Sequence, residues 1–215
     1  MTIRNAAIFG NIALALGIVA TACGAETVPA AIPEVAGDAR IQTTGNLIVV
    51  TAEMLLQELV PLMAEIDGVS GVDSYLAVDT EPDGVVGISP GSLFRVQGEP
   101  VSLTSGGGFP AGDENVAIPS LSVDASLYGF GMASSTMAHR LQVGQSFELQ
   151  GQRLRVVDLY RSNRGELGSS ILVPLSTAQR LFNLEGVITE AVVSVDPPEK
   201  VDAVRRAIVQ LLEER

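Results

Sequence analysis

An apolar run at the N-terminus that stops at a cysteine constrains this chain more than any other feature, because it decides on which side of a membrane the rest must fold. Residues 6–22 are apolar apart from Asn11 and Thr21, Arg4 precedes them, and Ala20-Thr21-Ala22 leads directly into Cys23-Gly24. A positive flank, an apolar stretch and a small-residue ending are the parts of a secretory signal, the short side chains fitting the narrow subsites of a signal peptidase. Cys23 is the only cysteine in 215 residues. No intrachain disulfide can form, and a lone thiol on an exported chain invites oxidation and cross-linking unless it is modified or removed.

The ending resembles a bacterial lipobox, in which the cysteine thiol is acylated and becomes the new N-terminus; Ala20 stands where leucine is preferred. Cys23 is therefore the candidate lipidation site, and residues 1–23 are read as a signal peptide with lipobox or as a membrane anchor. Two other readings stay open. The run can be a retained anchor helix, at the short end of the roughly 17 to 25 residues that cross a bilayer. It can also be cleaved after Ala22 without lipidation. All three place the remainder of the chain outside the cytoplasm. Residues 24–45, with Pro29 and Pro33 and no sustained period, read as a linker between membrane and domain.

Hydrophobic residues make up 47% and charged residues 18% of the chain, the balance of a folded protein with a real core. The length fits one large domain or two small ones. The net charge of -12 opposes a phosphate backbone, and the arginines form no patch to neutralise one, which excludes nucleic acid as a partner.

Hydrophobic periodicity sets out the elements. Residues 46–51 (Asn-Leu-Ile-Val-Val-Thr) predict a buried strand. Over 52–66 the positions Met54, Leu55, Leu59, Leu62, Met63 and Ile66 fall on one helical face, predicting a helix kinked at Pro61. Residues 69–78 and 84–96 predict strands or hairpins on either side of the turn Glu81-Pro82-Asp83-Gly84, and 98–135 predicts loops with short strands. A hairpin is expected over 145–160 around Gly151-Gln152, a strand over 171–174, a short helix over 176–182 and a strand over 187–195. Pro198 opens a last helix with Val201, Val204, Ile208 and Leu211 on its inner face. Strand-helix-strand at the front and strand-helix at the back bracket a β-rich middle. The expected fold class is α+β: an outer layered subdomain built by both chain ends (46–112 and 185–215) and a smaller inserted β-rich subdomain (113–184).

Motifs that imitate chemistry fail on physical grounds. Gly87-Ile88-Ser89-Pro90-Gly91 has the spacing of a nucleophile elbow, but the residue after the serine must donate its N–H to an oxyanion, and Pro90 has none. Asp79-Thr80-Glu81-Pro82-Asp83-Gly84 imitates the start of a calcium loop whose twelfth position, a bidentate carboxylate in such loops, is Pro90 here. Gly106-Gly107-Gly108 lacks the lysine and hydroxyl of a phosphate-binding loop and reads as flexible. His139 is the single histidine, with no cysteine or second histidine near it to complete a metal site. The expectation is no catalytic, cofactor or metal site.

The order of elements from Asn46 to Arg215 resembles the MacB-like and FtsX-like permease family. The residues that carry the likeness are Ala138-His139-Arg140-Leu141-Gln142-Val143-Gly144-Gln145, similar to the family's "A-x-x-L-x-V-G-D" lead into a hairpin, with Gln145 at the acidic position. Phe147-Glu148-Leu149 and Leu154-Arg155-Val156-Val157-Asp158 continue it, and Ser170-Ile171-Leu172-Val173-Pro174-Leu175 resembles a family strand leading into a short helix. Ile66-Asp67-Gly68-Val69 and Ile88-Ser89-Pro90-Gly91 are similar to its "pGV" and "v-d-P" turns. The resemblance implies a porter subdomain made by the chain ends, and a domain that passes ATP-driven motion to cargo or partners outside the membrane. Since no ATPase is encoded after it, the expectation is a non-catalytic, membrane-tethered interaction domain on the extracytoplasmic or periplasmic side. Its implied partners are an ABC transporter permease/ATPase or another envelope protein. The alternative is a truncated permease whose C-terminal transmembrane helices carry transport. The family's closing strand is also missing after the last helix, so an unpaired sheet edge is expected there.

Overall fold

Leu47–Leu56 holds an aliphatic, β-branched stretch that extends as one strand, β2. It pairs antiparallel with β1 (Arg40–Thr44) on one edge and with β12 (Val187–Val195) on the other. The computed structural model describes residues 39–81, 83–92, 95–96, 99–123, 141–162 and 170–214. Residues 40–44, the end of the expected linker, are thus strand.

The helix expected over 52–66 is shorter than its period suggests. Residues 52–56 stay extended because tertiary pairing on β12 outweighs a helical pattern of apolar residues. Only Leu59–Ala64 (α1) is helical, burying Leu59 and Met63. Pro61 therefore lies in a first turn, whose N–H groups have no partner within the helix, and is tolerated there rather than bending an interior.

Strand β12 lies between β2 and β3 (Val69–Val78), so the end of the chain completes a sheet begun by its front, as expected for 187–195. Its pairing slips between Ile188 and Glu190. There Thr189 Oγ1 takes over the ladder's role, accepting from Ala77 N–H at 2.8 Å and donating to the Tyr75 carbonyl at 3.4 Å.

The sheet continues through β4 (Gly84–Ile88), β11 (Ser170–Pro174), β7 (Val116–Pro119), β9 (Gln152–Val156) and β8 (Ser146–Leu149). Among the described residues it has nine strands, in the order β1-β2-β12-β3-β4-β11-β7-β9-β8. The β4–β11 and β7–β9 pairs are parallel and the others antiparallel. Among the described strands the edges of this sheet are β1 and β8, and the last described strand in sequence is interior. A second sheet, of three described strands, runs β10 (Tyr160–Ser162), β6 (Glu99–Leu103), β5 (Arg95–Val96).

Strand alternation separates two cores. Ile48, Val50, Val85, Ile171 and Val173 face one side, with Leu59 and Met63 of α1, Leu175 and Ala178 of α2 (Leu175–Phe182), and Val204, Ile208 and Leu212 of α3 (Val201–Glu213). Val86, Ile88, Leu172 and Val192 face the other, with Tyr160, Val101 and Leu103 of the small sheet. The large sheet is thus sandwiched between helices and the small sheet. Pro198 opens a 3-10 turn, Pro198–Lys200, that runs into α3, and Val204, Ile208 and Leu212 recur at the four-residue spacing of a buried helical face.

Candidate functional site

The features that imitate chemistry have structural partners. Gly87 sits on β4 directly beneath α2: a side chain there would put its Cβ 2.6 Å from that of Ala178 and 3.2 Å from the Leu175 Cα. Ser89 Oγ lies 2.5 Å from Ser74 Oγ, and the Ser89 N–H donates to the Ser74 carbonyl at 3.2 Å. The glycine and serine of the G-x-S-x-G spacing therefore serve helix packing and strand closure. In the acidic turn Thr80 Oγ1 donates to the Asp83 carbonyl, and Asp83 is buried rather than turned to solvent. His139 and Cys23, the candidate lipidation site, lie outside the described residues.

The triglycine loop is not free either. It ends on Asp158, a residue with no exposed surface. Asp158 Oδ1 accepts from Thr104 Oγ1 at 2.7 Å, Ser105 N–H at 3.0 Å and its own neighbour Leu159 N–H at 2.7 Å. Oδ2 accepts from Ser105 N–H and Gly107 N–H, each at 3.3 Å. Burial alone raises the pKa of a carboxyl group, but the hydrogen bonds from Thr104, Ser105 and Leu159 outweigh it and hold Asp158 down to about 2. Its lone pairs are occupied by donors, which makes it an anchor and not a base. The sequence does not reveal this role. Asp158 ends one of the family-like motifs, yet its loop partners are 51 to 54 residues away, and no local pattern links them.

Two residues on, Tyr160 is 1% exposed at the point where Ser120 bridges to it and the Leu121 N–H donates to its carbonyl. Burial pushes the phenol upward, hydrogen bonds to Ser170 and Ser120 oppose this, and the Asp83 carboxylate adds to the rise. Tyr160 therefore remains a neutral phenol, tying the small sheet to the strand ends of the large one.

The hairpin lead-in has a physical basis too. Gln145 N–H closes a four-residue turn on the Gln142 carbonyl at 3.0 Å, with Gly144 at φ +90° in its third position, where this kind of turn favours glycine. The Gln145 side-chain oxygen accepts from Gln142 N–H at 2.9 Å, an acceptor role that a carboxylate also fills. Val143, at the tip, is 56% exposed.

Two solved structures share this architecture. The periplasmic region of MacB from Actinobacillus actinomycetemcomitans aligns with a TM-score of 0.57 and 10% identity, over 78% of this chain and 85% of that one. The extracellular domain of the noncanonic ABC-type transporter YknZ from Gram-positive bacteria aligns with a TM-score of 0.52 and 14% identity, over 70% and 78%. The α+β fold is therefore that of the extracytoplasmic domains of such transporters. The sequence profile of the MacB-like periplasmic core domain matches residues 7–211, and the chain belongs to that family. The match begins within the apolar run, ahead of the Asn46 start seen from motifs alone. No curated protein matches the chain in sequence. Among the described residues no helix is long and apolar enough to cross a membrane.

Proposed function

We propose that this chain is a non-catalytic, membrane-tethered domain on the extracytoplasmic side, acting by contact with an ABC transporter permease/ATPase or another envelope protein. Membership of the MacB-like periplasmic core domain family over residues 7–211 is the observation that carries this reading. Within the domain, 46–112 and 185–215 form the outer porter-like part and 113–184 the inserted β-rich part. The placement of β12 between β2 and β3 supports that division, and the large sheet runs on from one part to the other through the β4–β11 pair. The test is a photo-crosslinking amino acid placed in cells at Val143 or Arg161, two exposed positions remote in sequence. A discrete adduct with an envelope membrane protein is expected from at least one site; only diffuse adducts from both would count against a specific partner.

The tether has two forms, and Cys23 separates them. Lipidation is favoured by the small-residue ending and the otherwise unused thiol. A retained helix is favoured by a family match that starts at residue 7, inside the apolar run. With lipidation, Cys23→Ser releases the domain from the membrane fraction; a variant still membrane-bound with an unprocessed N-terminus identifies the helix. The helix form also suits the alternative of a permease fragment, for which the DNA beyond the Arg215 codon would encode further hydrophobic helices.

A further inference from the structure

Among the described strands, four chain segments carry the backbone between the large and small sheets, and two of them cross at Asp158. One is the link from β6 to β7, which passes through Thr104 to Gly108; the other is the link from β9 to β10, which contains Asp158 itself. Around the crossing, Val157 N–H donates to the Ala117 carbonyl of β7 at 3.0 Å, on the large-sheet side. Thr104 N–H donates to the Leu159 carbonyl at 2.8 Å, between the two links. The carboxylate then closes on Thr104, Ser105 and Gly107 from within the protein, while those three residues are exposed on their outer side.

We infer that Asp158 is a pin between the two sheets: by holding both crossing links to one buried point, it makes the small sheet move with the large one. Two observations beyond the hydrogen bonds carry this. The pinned loop holds Gly106 and Gly108 at φ +74° and +61°, conformations a glycine adopts without strain but does not by itself enforce, so its order must come from outside the loop. The small sheet is also slight. Over the described residues its strand β5 has two residues and β10 three, and isolated ribbons of that size are not stable in water without an attachment. Asp158 is part of that attachment, acting beside the packing of Tyr160, Val101 and Leu103. The coupling of the two sheets does not depend on the proposed partner.

The test is hydrogen exchange, read peptide by peptide on the full chain, in Thr104→Val and Asp158→Asn. Thr104→Val removes one donor at an exposed position and leaves the core untouched, so it reports even where the buried substitution impairs folding. A pin predicts faster exchange, by about tenfold or more, at Ser105 and Gly107 and also across β6 and β10, with β2, β3 and β12 unchanged. Faster exchange confined to 104–108 would overturn the inference and reduce Asp158 to a loop anchor. A uniform rise that includes β2 and β12, or no change in either variant, would overturn it as well.

Discussion

Burying an ionised carboxylate is favourable only when donors inside the protein replace its lost water, and Asp158 has them on both oxygens. The consequence is a definite acid sensitivity. With its folded-state value lowered to about 2 against 3.8, the ionised form stabilises the fold, and the contribution is complete above the unfolded value. It is lost as the pH falls from there through about 2, and amounts to about 2 kcal/mol. Urea denaturation at about pH 5 should show Asp158→Asn less stable than the natural protein, and at about pH 2 the gap should largely close. A gap that stays constant between those pH values would mean that the loss comes from shape and not from charge. Gly87 makes a second residue-scale case. Because a Cβ there meets Ala178 at 2.6 Å and the Leu175 backbone at 3.2 Å, Gly87→Ala must push α2 off the sheet. The cost should be about 1–3 kcal/mol, seen as a fall in melting temperature of about 2–4 °C per kcal/mol. An unchanged melting temperature would show that α2 shifts freely.

At the scale of elements, those whose apolar period agrees with their tertiary surroundings were legible. β12 over 187–195 followed directly from its β-branched content. For the inner face of α3 the apolar period found Val204 and Ile208, which are buried, while the expected Val201 and Leu211 are only partly buried and Leu212 is buried in their place. The hairpin β8–β9 was legible as well, although the two residues at its tip are Gln150 and Gly151, both at positive φ (51° and 75°), one position before the expected pair. The failure at 52–66 has a clear cause: Met54, Leu55, Leu59 and Met63 fit a helical face, while the partner strand that holds 52–56 extended lies more than a hundred residues away. Separation in sequence hid the Asp158 contacts in the same way. Pro61 turns this difference into a measurement. In an interior helical position its removal would recover about 3 kcal/mol, whereas in a first turn Pro61→Ala should leave stability within about 1 kcal/mol. Chemical denaturation distinguishes the two, and a gain near the larger figure would reinstate the long helix.

For the whole molecule, the decisive fact is that the last described strand of the large sheet in sequence lies among the first in space. Among the described strands β12 is the only link between β2 and β3, which do not pair with each other. Until residue 195 is available, β2 has only β1 of its two described partners, and the apolar side chains Ile48, Val50 and Leu55 have neither β12 beside them nor α3 above. Loop-closure entropy must be met across the whole domain before these pairings form, a topology that folds slowly and late. A chain ended after Gly186 should therefore lack a cooperative unfolding transition and be cut rapidly by protease throughout 47–78, even though it retains every described strand but one. The full chain under the same protease should be protected over that range. If the shortened chain instead unfolded cooperatively, with β11, β7, β9 and β8 protected and β2 to β4 not, then the 113–184 region would hold a folding nucleus of its own, and the two ends would close around it as a second, separable step.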